Sequence, residues 1–368
     1  MKSFRLALPF VLMSMMLSAC AGDSGSPASP SAGPLTKPTI DSPAEGAQLD
    51  NLRPILTIVN TSATGSKTYE VEISDNPATG PGNAFTTRTL ATPAVPEGAS
   101  GKTTIIVNQD LQPSTKYYWH ARAVQGSSTS DWSEARSFRT KIQGFNRPGA
   151  LFDPLVNGET IGTISGNTTW ISGQGIRLND VVSYVYYELP QVILSGELSV
   201  EVTGLGPGGP CCKPRVFTII DRVGSLNSSS NYSMNAQYRG VGGNPDNGIA
   251  FKAVFGNNAI GLEPTTSQRL ASSIVLDPTK MYLWRGIWTR DSYRVVVREG
   301  LSGPVLYDLA VQNSQVSWNP SRMYALLGSD NGQFVSPDGT LPNITLRNLW
   351  VGSTPRPSSL GSVALAVR

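Results

Sequence analysis

The chemistry available to this chain depends first on one pair of acidic side chains. Glu197 and Glu201 lie in an alternating stretch, so a strand would place both on one face with Ser199 between them. Retaining glycoside hydrolysis needs two carboxyl groups roughly 5 Å apart. Serine stands where an intervening aspartate would be needed, and we expect this strand to open its domain instead of lying in the middle of a sheet. We therefore interpret the two glutamates as the solvated face of an amphipathic strand.

Tyrosine beside arginine is a second combination that could do chemistry. In a polysaccharide lyase a tyrosine can abstract the proton beside a uronate carboxylate while an arginine neutralises that carboxylate. The same residue types, with tryptophan, also suit sugar binding, although a strand tryptophan could equally belong to the core. We assign no catalytic residue. The candidate ligand-binding residues are Trp284, Trp288, Tyr293, Arg294, Arg298, Tyr238 and Arg239.

Two oxygen-rich loops could hold calcium. Residues 242–248 and 329–333 combine Asn, Asp and Gly, with Asp246 and Asp330 as the candidate ligands. Turn geometry explains the same composition equally well. No zinc-ligand spacing is present. We therefore predict no cofactor, with calcium at Asp246 and Asp330 as the alternative.

The only histidine of the chain, His120, is a poor candidate for catalysis or metal binding. It lies one residue out of phase with Trp119 and Ala121, which we expect to point inward. No Cys, Asp or Glu is close to it in the local sequence. We therefore predict that His120 faces solvent.

Composition predicts the elements that must position these side chains. Gly 37 and Pro 27 supply turns at short intervals, and no long amphipathic helical period follows the first twenty residues. This pattern predicts an all-β protein. The 29 Lys/Arg nearly balance the 26 Asp/Glu, so no basic stripe is available for phosphates and we predict no nucleic-acid partner.

Residues 281–300 form the most strongly β-prone stretch, and we predict them to be a central hairpin. Trp284 and Trp288 lie on one face of the first predicted strand, and Arg294 and Arg298 lie on one face of the second. If the tryptophans face the core, the arginines line an outer or concave surface and become ligand contacts. If they face outward, the hairpin is itself a platform for sugars.

The N-terminus resembles a bacterial lipoprotein signal. Residues 1–5 are a short basic region, residues 6–17 are apolar, and Leu17-Ser18-Ala19-Cys20 matches the lipobox. The resemblance implies cleavage after residue 19 and acylation of Cys20, which anchors the protein to a membrane. Ala and Gly at positions 21 and 22 favour the outer membrane, so we expect an exported, lipid-anchored envelope protein. The apolar run is too short to be a transmembrane helix.

Cys211 and Cys212 are the two remaining cysteines once Cys20 is lipidated. In an oxidising compartment they could form a vicinal disulfide. The bond would be strained, so two reduced thiols or an intermolecular bridge stay open as alternatives.

Residues 20–36 are rich in Ser, Pro, Ala and Gly and are predicted to be a disordered tether after the 1–19 signal peptide. Residues 37–141 then resemble the fibronectin type III module. The resemblance rests on LQPSTKYYWHARA at 111–123, DWS at 131–133 and FRT at 138–140. It implies that Tyr117 is a corner tyrosine whose hydroxyl bonds to the backbone.

After a short connector, residues 147–355 contain at least ten predicted strands without helices, which requires two packed sheets or a jelly roll. They resemble the concanavalin A-like lectin/glucanase superfamily, of which laminin G domains are a branch, at GELSVEV (196–202), 284–300 and LRNLWVG (346–352). The resemblance implies a jelly-roll sandwich, followed by a tail at 356–368.

These observations predict an envelope lipoprotein whose C-terminal sandwich binds a carbohydrate or another envelope or extracellular ligand, with the fibronectin-type domain as spacer. Two alternatives remain open. One is a lipid-anchored polysaccharide-degrading enzyme, a lyase more readily than a hydrolase. The other is an adhesin that binds protein.

Overall fold

The computed structural model describes residues 35–156, 158–207, 214–223, 232–239, 248–256, 274–312, 316–330 and 339–360. Regular structure within these ranges is β-strand apart from a 3-10 turn at Pro81–Asn83. The predicted all-β fold class is confirmed, and the strands form two sandwiches, each with its own apolar core. In the part of the chain described, no helix has the length and apolar character needed to cross a bilayer.

The N-terminal sandwich packs a three-stranded sheet, ordered β1-β3-β7, against a second sheet whose main path is β2-β10-β8-β4-β5. Its strands are β1 Thr39–Ser42, β2 Ala47–Gln48, β3 Ile55–Val59, β4 Thr68–Ser74, β5 Leu90–Ala91, β6 Val95–Pro96, β7 Lys102–Ile106, β8 Lys116–Gln125, β9 Ser128–Thr129 and β10 Arg136–Arg139. Trp119 and Ala121 are fully buried in its core, as their alternation predicts. The Tyr117 hydroxyl accepts a hydrogen bond from the Gln112 backbone N–H at 3.1 Å, which is the contact expected of a corner tyrosine.

His120 is buried, and the prediction that it faces solvent is wrong. Its ring lies between Phe85 and Trp132, with ring centroids 4.1 Å and 4.2 Å away. Its Nε2 lies 3.1 Å from a carboxylate oxygen of Glu72 on the neighbouring strand. The side chains of this strand alternate as predicted, since His120 does point away from the core. The connections that carry Phe85 and Trp132 cover that face, and single-strand periodicity cannot show this.

The C-terminal sandwich packs a nine-stranded sheet, with main path β11-β12-β25-β17-β21-β22-β23, against a six-stranded sheet ordered β13-β16-β24-β18-β19-β20. Its strands are β11 Phe145–Arg147, β12 Ala150–Asp153, β13 Thr163–Ser165, β14 Thr168–Ile171, β15 Gly175–Leu178, β16 Tyr184–Glu188, β17 Gly196–Thr203, β18 Arg215–Ile220, β19 Ser233–Tyr238, β20 Ile249–Val254, β21 Tyr282–Trp288, β22 Ser292–Glu299, β23 Val305–Gln312, β24 Tyr324–Leu327 and β25 Ile344–Gly352.

The strand that carries Glu197 and Glu201 does not open this domain. It is β17, and it lies between β25 and β21 in the middle of the nine-stranded sheet. The sheet begins instead at β11, two residues before the predicted start at 147, and β12 pairs with the closing strand β25. The sequence pattern misses these first strands because they are only three and four residues long.

The core of the C-terminal sandwich is filled by large aromatic side chains from the facing sheets. Strand β21 alternates strictly, with Tyr282, Trp284 and Trp288 turned inward. Gly286 lies between the two tryptophans, and a Cβ there would meet the Phe217 ring of the opposite sheet at 2.9 Å. Glycine at this position therefore lets the two sheets approach each other.

The C-terminal segment (residues 353–360) connects the two sandwiches. The Ser359 carbonyl accepts hydrogen bonds from the Lys116 N–H at 2.9 Å and from Arg139 Nη1 at 3.2 Å, both in the N-terminal sandwich. Leu360 is buried against Phe152 and Trp350. The predicted tail at 356–368 is thus ordered packing as far as 360, and its last eight residues lie outside the described ranges.

Candidate functional site

The aromatic residues predicted to bind ligand lie inside the sandwich. Trp284, Trp288, Tyr293 and Tyr238 are at most 1% exposed and belong to the core between the sheets. The Trp288 indole N–H donates to the Ile193 carbonyl at 2.9 Å, so even its polar atom has an internal partner. A two-sheet sandwich needs bulky residues on both inner faces. The face of the hairpin that carries the tryptophans fills this core. Their assignment as ligand contacts is therefore wrong.

The arginines of the hairpin face outward, but on the nine-stranded sheet. Arg294 donates to both oxygens of Asp308 on the adjacent strand, at 2.6 Å and 2.5 Å. This bond raises the pKa of Arg294 and lowers that of Asp308. Arg298 Nη1 donates to the Gly303 carbonyl at 3.0 Å. Both side chains thus serve local cross-strand and turn contacts.

The tyrosine and arginine pairs considered for the lyase alternative are not arranged for proton abstraction. Tyr293 and Arg294 are consecutive on one strand and point to opposite faces of the sheet, because side chains alternate. Tyr238 and Arg239 diverge in the same way. Burial raises the pKa of Tyr293 well above its usual value, which further opposes a role as a base.

Glu197 and Glu201 are buried, not solvated as predicted. They face away from the core, where Arg285 donates to both oxygens of Glu197. Arg347 Nε and Arg356 Nη2 donate to the two oxygens of Glu201 at 2.7 Å and 2.9 Å. Each carboxylate is held by arginine in a structural ion pair, so neither is placed to act as a nucleophile or an acid.

The outward face of the six-stranded sheet carries mostly polar side chains, but its middle is buried: Thr218, Asn235 and Gln237 are at most 2% exposed. Across its middle the register places Tyr186 opposite Leu326, Leu326 opposite Thr218, Thr218 opposite Asn235, and Asn235 opposite Lys252. The alternate residues of each strand point into the core. The face therefore has aromatic side chains at β16 and amide and cationic side chains at β19 and β20, and it opens into a cleft at one end.

Polar side chains on this face are tied to one another. Gln237 Nε2 donates to Asn235 Oδ1 at 2.8 Å, and Arg239 Nη2 donates to Gln237 Oε1 at 3.2 Å. Arg215 Nη1 donates to Ser329 Oγ at 2.8 Å. Such hydrogen bonds fix side-chain orientation before any ligand arrives. Arg239, one of the predicted ligand residues, lies on this face but is buried, with 5% exposure, and does not line the cleft.

The cleft lies at the end of the sheet where β16 and β18 end and β19 and β24 begin. Its volume is about 770 Å³, within the range of small-ligand sites. Tyr324 and Glu188 are directly opposite in register, and the Tyr324 hydroxyl donates to Glu188 Oε1 at 3.2 Å. The lining residues are Tyr186, Glu188, Asp221, Arg222, Val223, Tyr232, Asn319, Ser321, Arg322 and Tyr324.

Buried groups of the core hold the aromatic wall of the cleft. The Tyr232 ring meets the buried Trp318 ring edge to face, with centroids 5.6 Å apart. The Trp318 indole N–H in turn donates to the Ile193 carbonyl at 3.2 Å. Tyr184 and Tyr186 lie side by side on β16, with ring centroids 6.1 Å apart. The tyrosines are half-buried, so ring surface remains available to a ligand.

Sequence reasoning predicted the strands that carry these residues but not the site. Residues 184–187 are Tyr-Val-Tyr-Tyr, so tyrosine occurs on both faces of the strand. The sequence therefore does not show which face points outward. A usable signal was the polar alternation of Ser233, Asn235 and Gln237 against Met234 and Ala236. That pattern marks one face as polar over the full strand.

Of the residues predicted to bind calcium or to form a disulfide, Asp330 is the one within the described ranges. Asp330 lies beside Ser329 near this face, and no cluster of three or more His, Cys, Asp or Glu suited to a metal occurs among the described residues. Asp246, the other calcium candidate, lies outside the described residues, as do Cys20, Cys211 and Cys212.

No family model matches this chain, and no curated protein matches it. Solved structures resemble it in part. Basic winged bean lectin with Tn-antigen has 12% identity and a TM-score of 0.38, over 55% of this chain and 96% of that one. The Ca²⁺/Man-bound exoplasmic/lumenal domain of VIP36 has 13% identity and a TM-score of 0.35, over 56% and 90%. Lectin II from Ulex europaeus has 8% identity and a TM-score of 0.34, over 55% and 97%. Because these scores are low, the fold described above rests on the sheets of this chain alone.

Proposed function

We propose that this protein is an exported, lipid-anchored envelope protein that binds a carbohydrate in the cleft of its six-stranded sheet. The observation that carries the proposal is the set of half-buried tyrosines, Tyr186, Tyr232 and Tyr324, around an open cleft with polar side chains between them. Tyrosine rings can stack on the C–H face of a pyranose ring, and carboxylates, amides and guanidinium groups can bind its hydroxyls.

The tyrosines that line the cleft are held in fixed positions, which supports a role in ligand binding. The Tyr324 hydroxyl is held by Glu188, and the Tyr232 ring is packed against Trp318. Groups that are fixed before binding lose little conformational entropy when a ligand arrives. The N-terminal sandwich, which resembles a fibronectin type III module, serves as a spacer between the membrane tether and this cleft.

Binding is tested with the mature chain, residues 20–368 without the lipid, on a glycan array, followed by calorimetry with the glycans that bind. Tyr186→Ala and Tyr324→Ala are each expected to weaken binding about tenfold or more, in line with the loss of one aromatic stacking partner. The matched control is Tyr118→Ala, a half-buried tyrosine on a strand of the N-terminal sandwich, which should bind like wild type.

Failure to bind any glycan would contradict the carbohydrate proposal and favour the protein-adhesin alternative. Equal loss in Tyr118→Ala would also contradict it, because Tyr118 is on a strand of the other sandwich and does not line the cleft. Product analysis in the same samples for new unsaturated or reducing ends tests the enzyme alternative.

The anchor is proposed from residues 1–22 of the sequence. Intact-mass analysis of protein from a bacterial host should show loss of residues 1–19 and acyl chains on Cys20. The Cys20→Ser variant should be found in the soluble fraction. An unmodified Cys20 in the membrane fraction would overturn this part of the proposal.

A further inference from the structure

We propose that the cleft selects an acidic glycan, with Arg222 and Arg322 binding the carboxylate groups of uronic acid residues. The inference rests on the proposed carbohydrate binding and specifies its substrate class. Both arginines line the cleft and both are exposed. In the described part of the chain no ion pair is formed by either one.

The contrast with other arginines of the same sandwich carries the argument. Arg285, Arg347 and Arg356 are each ion-paired with a buried glutamate, and Arg294 is paired with Asp308. In each of these four contacts the guanidinium group meets a carboxylate of the chain, whereas Arg298 is held by the Gly303 carbonyl. In the cleft the guanidinium group is left open towards solvent, so a carboxylate can come from a ligand.

Arg222 and Arg322 lie on different segments of the chain, so their two charges occupy separate positions around the cleft. Arg222 follows β18 directly, and Arg322 lies just before β24. These strands are neighbours in the six-stranded sheet, so the two positions flank the same end of it. Tyr186 on β16 and Tyr324 at the start of β24 line the same cleft and supply the ring surface for the sugar.

Two acidic residues, Glu188 and Asp221, also line the cleft. Asp221 is already engaged in a contact within the protein, and Glu188 is compatible with an acidic ligand. It already accepts the Tyr324 hydroxyl at 3.2 Å, so one of its oxygens is engaged on the aromatic side of the cleft. Its remaining acceptor sites can take hydroxyl protons of the sugar, while the guanidinium groups take the carboxylate. A uronic acid carries both kinds of group on one ring, whereas a neutral hexose leaves the guanidinium forks without a matching anion.

The test compares charged and neutral versions of the same chains. A panel of galacturonate, mannuronate, guluronate and glucuronate-containing oligosaccharides, and their carboxyl-reduced counterparts, is titrated calorimetrically into the mature chain. At least one uronate is expected to bind ten times or more tightly than its reduced form, with an affinity that falls as salt is raised. Arg222→Gln and Arg322→Gln should each lower that preference, because each weakens binding of the uronate more than binding of its reduced form.

The matched control is Arg290→Gln, an exposed arginine in the hairpin turn of the other sheet, which should keep the full preference. Arg322→Lys keeps the charge without the fork and should lie between wild type and glutamine. Equal binding of a uronate and its reduced form, unchanged by Arg222→Gln and Arg322→Gln, overturns the acidic-glycan inference and leaves the proposed function in place. Absence of binding to every charged and neutral chain overturns both.

Discussion

Arg356 donates a hydrogen bond from Nη2 to Glu201 Oε1 at 2.9 Å, across 155 positions of sequence. The contact ties the C-terminal segment to β17, the middle strand of the nine-stranded sheet. Arg347 occupies the other oxygen of the same carboxylate. Since the Glu201 side chain is only 2% exposed, this group of charges is screened little by solvent.

Removal of Arg356 should therefore destabilise the protein. Arg356→Ala is expected to lower the free energy of unfolding of the C-terminal sandwich by about 1–3 kcal/mol, because a buried carboxylate loses one of its donors. Urea denaturation followed by tryptophan fluorescence measures the change in midpoint. Arg294→Ala is the control, since its pair with Asp308 is half-exposed and should contribute at most about 1 kcal/mol. Equal losses in the two variants would contradict the structural role of Arg356.

The stack around His120 predicts a pH dependence of stability. Burial lowers the pKa of His120, and the neighbouring Glu72 offsets this only in part. The folded sandwich thus holds a neutral ring, whereas the unfolded chain takes up a proton near its ordinary pKa of 6.5. The unfolded state binds more protons between the lowered pKa and 6.5. His120 therefore does not reduce the free energy of unfolding above about pH 6.5. The free energy of unfolding decreases as the pH falls from 6.5 towards the lowered pKa of the folded state.

The measurement is unusually clean because His120 is the only histidine in the sequence. Proton NMR of its ring should give a titration midpoint below 6.5 in the folded protein. His120→Phe keeps a ring between Phe85 and Trp132 and should flatten the pH slope of stability from pH 7 to 5. A midpoint at or above 6.5 would show that the ring is not held neutral.

Glu72 adds a second, more acidic transition. Burial raises its pKa, but hydrogen bonds from His120 and Arg88 outweigh burial and hold the pKa below its usual value. A carboxylate with a lowered folded pKa contributes stability above its unfolded pKa of 4.5, and this is lost as pH falls through the folded value. Glu72→Gln should remove this acid-induced loss between pH 5 and 3, as followed by circular dichroism.

Tyr324→Phe separates the ring from the hydroxyl in the proposed cleft. The variant keeps the surface for stacking and loses only the hydrogen bond to Glu188. Affinity for a bound glycan should fall less than threefold, against about tenfold or more for Tyr324→Ala. Calorimetric titration decides between them. A loss in Tyr324→Phe as large as in Tyr324→Ala would assign the binding to the hydroxyl instead of the ring.

Trp288 should matter for stability and not for binding. Trp288→Phe deletes an indole whose N–H bonds the Ile193 carbonyl inside the core, and it is expected to cost about 1–3 kcal/mol. Glycan affinity measured well below the unfolding midpoint should equal that of wild type. Tyr186→Ala is the converse control, with weaker binding and a nearly unchanged midpoint. Loss of affinity in a folded Trp288→Phe protein would restore the hairpin as a ligand surface.

Local alternation was enough to predict much of the strand content. Strands β19 and β20 each occupy a six-residue segment between turn-rich stretches of the sequence, as expected for the short strands predicted in this domain. Alternation could not show which sheet a strand joins, since that depends on pairing between distant segments. Strand β17 illustrates the limit: Leu198, Val200 and Val202 point inward as their pattern indicates, yet its central position follows from pairing with β21 and β25.

The same limit explains the errors at the site. Glu197 and Glu201 do lie on the non-core face, but their burial depends on arginines that lie 88 and 146 positions away. His120 depends in the same way on Phe85 and Trp132. Polar residues that a single strand marks as outward become buried when another segment covers them, and only the tertiary structure identifies that segment.

The C-terminal segment has a mechanical consequence. The C-terminal sandwich is attached to its neighbour at both ends of its chain: through the connector, where Ser114 Oγ bonds the Gln143 carbonyl, and through Ser359, which accepts from Lys116 and Arg139. A single covalent linker would let one sandwich rotate relative to the other. Two attachments in parallel resist torsion, so a pull on the C-terminal sandwich is transmitted to the N-terminal sandwich as a load shared between backbone and hydrogen bonds.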